Sequence, residues 1–202
     1  MKDLTIESSP QIYARIAGAI YLLIIVFGGF SEGFVMNTLV VPGDAAATAH
    51  NIMASSTLWR LSVGGDLIVP LIAVPQLWII YHLLKPAGRE LALLFVLLEI
   101  VSLSVESVSK VFLLMVLPLL SGAGYGHIFQ PQELFALVSM MLAAHDTSFN
   151  IALLFFGVDC LVTGYLIFRS GYFPKVIGML LQLARLKLSD RHPVGVLRAG
   201  IR

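Results

Sequence analysis

The sequence predicts an all-α fold, a polytopic transmembrane helical bundle with four full spans and an incomplete fifth, and three observations carry that expectation. Of 202 residues, 58% are apolar and only 12% charged, with mean hydropathy +0.90; a soluble domain carries about 25% charged residues. A bilayer core of about 30 Å is crossed by about 20 apolar residues, and runs of that order occupy residues 12–35, 58–84 and 91–120, with a fourth that is densest over 151–168. The breaks between them are short and rich in turn formers, as in Val41-Pro42-Gly43-Asp44 and Lys85-Pro86-Ala87-Gly88-Arg89. None can hold a second domain.

The same composition closes other classes. Thirteen Lys and Arg against twelve Asp and Glu leave a net charge of +1, too little basic excess for a phosphate backbone. Disorder needs low hydrophobicity and high charge. The lone cysteine, Cys160, excludes an internal disulfide framework and a multi-cysteine zinc site.

Taken in order, residues 12–35 form a retained first span rather than a cleaved leader, because residues 1–11 carry Asp3 and Glu7 beside Lys2 and no small-x-small site closes the run. Asp44 is placed to cap a short helix over residues 45–55. The second span enters through Trp59-Arg60 and meets Pro70 and Pro75; Pro70 lacks the N–H that would bond the Asp66 carbonyl, which resembles the start of a cation site. A tilted helix near the interface would tolerate the same residues. The third span follows Arg89. Gln130-Pro131 with Glu133 starts a further helix, and a single helix over residues 131–168 would be about 57 Å long. It must break, tilt or protrude, and the polar stretch 145–150 is the expected break. A fifth run, 176–184, is about 14 Å of helix and cannot cross.

Basic residues fix an expected orientation. Lys85 and Arg89 follow the second span, and Arg169 and Lys175 the fourth, whereas the loops after the first and third hold none. The positive-inside rule then puts the N-terminus in the cytoplasm, and Trp59, Trp78, Tyr13 and Tyr172 read as interfacial anchors.

Ionisable residues inside spans cost about 2.5–3.5 kcal/mol each at a helix centre, so each needs a compensating partner or a function. Glu99, Ser102, Glu106, Ser109 and Lys110 share one face of the third span, and Glu106 and Lys110 stand at the favourable i,i+4 spacing. Depth sorts Glu32, Arg60, Asp66, Lys110 and Asp146 into an outer charge network, in which Arg60 is expected to meet Glu32 or Asp66 and Lys110 to meet Glu106 or Asp146. Glu99 and Asp159 lie deeper on the inner side with no basic partner. They are either part of a proton path or two neutral, hydrogen-bonded acids.

No cofactor is expected. His82 and His145 lie at opposite ends of their spans, with His50 and His127 in outer loops, so no two can share a haem iron; no metal-ligand spacing and no nucleophile elbow occur. Gly29 and Gly33 form a small-residue pair suited to a homo-oligomer contact within the lipid bilayer.

Three segments carry a family resemblance: Tyr13-Ala14-Arg15-Ile16-Ala17-Gly18-Ala19-Ile20-Tyr21-Leu22, then Val41-Pro42-Gly43-Asp44-Ala45-Ala46-Ala47-Thr48-Ala49, and Gly164-Tyr165-Leu166-Ile167-Phe168-Arg169-Ser170-Gly171-Tyr172-Phe173-Pro174. Over about residues 12–182 the chain resembles the bacterial multi-span proteins grouped as domain of unknown function 4386. The resemblance implies a bundle of about six spans in the bacterial cytoplasmic (inner) membrane, and no assigned activity or catalytic residue. The chain departs from that pattern at its end: residues 1–184 read as one transmembrane domain of net charge −3, and residues 185–202 as a basic tail of net charge +4. The tail is either a truncated or frame-shifted end or a segment lying on the inner leaflet.

The function this reading favours is a structural or partner-binding membrane subunit; an intramembrane enzyme would need a convergent pocket of His, acid and nucleophile, which the spacing does not favour. The alternative is a small proton- or ion-linked transporter or channel using Asp66, Glu99, Glu106 and Asp159.

Overall fold

The computed structural model describes residues 10–121 and 129–170, and every regular element among them is helical. The first span, Pro10–Leu39, is composite: α1 (Pro10–Gly28), a π-helical segment (Gly29–Val35) and the short α2 (Met36–Leu39). The amphipathic α3 (Ala45–Ala54) follows, then α4 (Ser56–Leu84) with a 3-10 turn at Lys85–Ala87, α5 (Arg89–Leu120) and α6 (Pro131–Ser170). Four helical segments, Pro10–Leu39, Ser56–Ala87, Arg89–Leu120 and Pro131–Ser170, are long and apolar enough to cross a membrane. The fifth run, the basic tail, His127, Tyr172 and Lys175 lie outside the described residues.

Local chemistry explains the element ends. The Asp44 carboxylate accepts from the Ala47 N–H at 2.8 Å and so caps α3. Gly43, at φ +80, supplies the left-handed residue that lets the chain reverse before it. Thr48 ties the turn down by accepting from the Val41 N–H at 2.9 Å. At the start of α6 the Glu133 carboxylate accepts from the Gln130 N–H at 2.7 Å, with Pro131 at the first helical position.

The surface is apolar where a soluble protein is polar. Leu22, Leu71, Leu97 and Leu154, one from each span, are all more than 60% exposed, whereas Asp66, Lys110, His145 and Asp159 are buried. That inverted pattern is what lipid as solvent requires.

The spans run up, down, up and down. The α5–α6 pair makes the largest helix interface, and α1 packs on α4. Interhelical hydrogen bonds add polar contacts: Gln76 donates to the Ala17 carbonyl at 3.1 Å, Ser102 to the Ala152 carbonyl at 3.0 Å, and Ser62 to the Ser31 hydroxyl at 2.8 Å. At one end Val35, Ile52, Trp59, Leu113, Val116 and Val138 belong to an apolar cap that draws on every span and on α3. At the other, Leu84, Ala92, Leu166 and Ile167 close the bundle, beside Ala17, Ile79 and Leu83.

Two expectations are corrected. Helix α6 does not break at residues 145–150 but runs unbroken for 40 residues, and two of the polar residues there are accommodated in helical geometry. Thr147 returns its hydroxyl to the Ala143 carbonyl at 2.8 Å, and His145 turns into the bundle. Trp59 is 2% exposed and sits in the apolar cap, so it is core and not an interfacial anchor; Trp78, 55% exposed, faces outward.

Candidate functional site

Two polar layers cross the bundle. The first is built on Lys110, whose fully buried ammonium meets Asp66 at 2.6 Å, Glu32 at 2.8 Å and Glu106 at 3.8 Å. Each long helical segment contributes. Glu32 comes from the π-helical segment, where the Met36 N–H reaches back five residues to the Ser31 carbonyl. That wider turn swings Ser31 into the core and leaves Glu32 facing α5 and α6. Asp66 is supplied by α4, Glu106 and Lys110 by α5, and His145 with Phe149 by α6. The ammonium also lies 4.7 Å from the centre of the Phe149 ring.

His145 completes this layer and is the residue that sequence reasoning missed. Its Nδ1 stands 3.2 Å from the Ser109 carbonyl oxygen and its Nε2 3.1 Å from Glu32 Oε1. A carbonyl can only accept, so Nδ1 carries a proton. The other nitrogen faces the Glu32 carboxylate, so the ring joins α6 to both α5 and the first span. A signal for His145 existed in the sequence: Val138, His145, Ala152, Asp159 and Leu166 recur every seven residues, and all five are buried.

The expected pairings change in detail. Lys110 takes Glu32 and Asp66 as its close partners, and Glu106, the neighbour one helical turn away, is the most distant of the three. The feature near Pro70 that resembles a cation site already has its cation, the Lys110 ammonium. Arg60 and Asp146 stand apart from the layer: both are exposed, and neither has an ion-pair partner among the described residues. Each directly adjoins a buried residue, Trp59 or His145, and a helix rotates about 100° per residue, which turns it away from the core. Arg60 instead lines a groove of about 390 Å³ between α4 and α5.

The second layer lies about 16 Å from the first along α5, eleven residues from Lys110 to Glu99. Here a cavity of about 230 Å³ is walled by all four spans. Its titratable groups are Tyr21 from α1, Glu99 from α5, and Asp159 and Cys160 from α6; α4 contributes the neutral Gln76. No base faces it among the described residues. Glu99 Oε2 and Asp159 Oδ1 are buried without a hydrogen-bond partner there, and the Thr163 hydroxyl lies beside Asp159. The structure thus brings Glu99 and Asp159 to one cavity, and Asp66, Glu106, Lys110 and Glu32 to another place.

Gly29 and Gly33 are exposed, and a methyl group added at either would meet nothing within 4 Å, so their face is unoccupied within the described chain. No group of three or more His, Cys, Asp or Glu side chains suited to a metal ion occurs among the described residues.

Among known proteins, the model of one family, described as Domain of unknown function (DUF4386), matches residues 16–188. No curated protein and no solved structure matches the chain.

Proposed function

The chain belongs to the DUF4386 family, and from that premise we propose that it is a small proton-linked membrane carrier whose exchange site is the cavity shared by Glu99 and Asp159. One observation carries the reading: two carboxyl groups face a single cavity inside the bundle, each with an oxygen lacking a partner, and no base faces them among the described residues. Two uncompensated carboxylates in a low-dielectric site are strongly unfavourable. The cavity is neutral only when it holds protons or a cation, and exchange of one for the other is the elementary step of a proton-linked carrier. The Lys110 layer has a different part in this proposal. Its carboxylates converge on a cation beneath an apolar cap, which suits a fixed joint between the spans.

The orientation that accompanies the proposal has the N-terminus in the cytoplasm of a bacterial inner membrane, supported by the basic residues Lys85, Arg89 and Arg169 at one end of the bundle. In the same picture residues 1–184 form one membrane domain and residues 185–202 a basic tail.

The test uses the full chain in liposomes containing a pH-sensitive dye, challenged with pools of organic cations, anions and neutral solutes. A cation pool should move protons, and Glu99→Gln with Asp159→Asn should abolish the response while the helical spectrum is retained. A folded protein that moves protons with no pool would overturn the proposal.

A second reading, a partner-binding subunit, draws support from the open Gly29 and Gly33 face. It requires a dimer in detergent that Gly29→Leu with Gly33→Leu dissociates.

A further inference from the structure

We infer that the Glu99 and Asp159 cavity is a binding site for an aryl-alkyl primary ammonium ion. The inference rests on the carrier reading for its physiological sense, but it names a ligand class that the reading leaves open. Three features of the cavity select it.

The first is the match of donors to acceptors. A primary ammonium has three N–H donors and no acceptor. Two buried carboxyl oxygens on this cavity wall, Glu99 Oε2 and Asp159 Oδ1, lack a partner among the described residues, and the Thr163 hydroxyl beside Asp159 still has lone pairs to offer. Asp159 and Thr163 stand one helical turn apart on α6, so their side chains sit on the same face. Of the other polar groups on the wall, Gln76 donates to the Ala17 carbonyl at 3.1 Å, and Tyr21 and Cys160 add a hydroxyl and a thiol.

The second feature is the wall itself. Apart from those oxygens it is largely apolar and carries the rings of Tyr21, Phe95 and Phe156. A sugar or an amino acid would leave hydroxyl or carboxylate groups unpaired there, whereas an aryl group buries its surface and a cation gains from ring faces. The third is size. An apolar cavity of about 150 Å³ takes a benzene, so about 230 Å³ has room for one ring and a two-carbon ammonium arm.

Charge balance defines the step. The empty cavity is neutral with both carboxyls protonated. When one ammonium binds, one carboxyl releases its proton and becomes the counter-ion, while the other keeps its proton, so the site remains neutral. One cation enters for one proton released.

The experiment titrates the full chain in detergent with 2-phenylethylammonium, by calorimetry in buffers of different ionisation enthalpy and by thermal unfolding. The comparison probes are its N,N,N-trimethyl analogue, which has no N–H donor, and the neutral 2-phenylethanol. The expected result is binding of the primary ammonium with release of one proton, a raised melting temperature, and at least tenfold weaker binding of both comparison probes. Glu99→Gln and Asp159→Asn should each weaken binding at least tenfold. Gly18→Leu offers a second route: Gly18 is an exposed residue on the cavity wall and an added methyl there meets nothing within 4 Å, so the larger side chain should crowd the cavity mouth and weaken binding at least tenfold with folding intact. Equal affinity for the charged and neutral probes, or unchanged affinity in both carboxyl variants, would overturn the inference. So would absence of binding to the folded protein. If the amine fails to bind while another solute class drives proton movement in liposomes, the ligand assignment falls and the carrier reading stands. If it binds with one proton released but nothing crosses the liposome membrane, the carrier reading falls and the site stands.

Discussion

Replacing Lys110 by Met removes the one charge on which three carboxylates converge. At an effective dielectric constant of about 20, unit charges in contacts this close attract by about 6 kcal/mol each, and Lys110 has two such contacts, at 2.6 Å with Asp66 and 2.8 Å with Glu32. Desolvation of the ammonium and the acids, several kcal/mol per ion, opposes that attraction and leaves the intact cluster near balance. The substitution deletes the attraction but keeps Asp66, 1% exposed, inside the bundle. Lys110→Met alone should therefore cost about 3–5 kcal/mol of stability. Adding Asp66→Asn and Glu32→Gln to it should return most of the loss, because the stranded charges are then gone. Glu106, at 3.8 Å and with a side chain 19% exposed, should contribute much less, and Glu106→Gln should cost about 1 kcal/mol or less. The assay is reversible unfolding of the full chain in mixed micelles titrated with sodium dodecyl sulfate, followed by circular dichroism. A Lys110→Met protein within about 1 kcal/mol of the parent, or a triple variant no more stable than the single one, would refute the reasoning.

Three further outcomes follow from packing in the same assay. Trp59→Ala should cost about 3–5 kcal/mol because the indole is 2% exposed in the apolar cap, while Trp78→Ala, at 55% exposed, should cost well under half of that. Gly64→Ala should stabilise α4 by up to about 1 kcal/mol, since the new methyl meets nothing within 4 Å; Gly65→Ala should lose that gain, because its methyl would stand 3.2 Å from the Phe27 ring. Asp44→Ala should cost about 1 kcal/mol through loss of the α3 cap, with Asp44→Asn close to neutral.

Span positions were legible in the sequence because a bilayer imposes one dominant rule, about 20 apolar residues per crossing. The α3 cap at Asp44 and the Pro131 start were legible for a similar reason: each depends on residues within one turn. The ion pairs were less so. Spacing along one helix identifies Glu106 as a neighbour of Lys110, but it carries no information about which residues of the other helices lie opposite. The contacts made by Glu32 and Asp66 span 78 and 44 positions. The π-helical turn at Gly29–Val35, which directs Glu32 towards α5 and α6, has no marker in the residues themselves. His145 was hidden by its surroundings, since Asp146, Thr147 and Ser148 make the stretch look like an interface. Its burial follows from a seven-residue recurrence that a reading of local polarity overlooks.

The unbroken helix α6 also has a mechanical meaning. At 40 residues it is about 60 Å long, twice the hydrocarbon thickness of a bilayer. Near its start Val138 and Leu142 share the apolar cap with Ile52 of α3, His145 anchors it in the Lys110 layer, and Asp159 stands about 21 Å further along. That geometry is long enough to work as a lever about the Lys110 layer. A tilt of about 5° about His145 displaces Asp159 by nearly 2 Å over that arm, enough to make or break a hydrogen bond. Such a tilt would couple the protruding end of α6 to the carboxyl group in the cavity, with the direction of motion reversed.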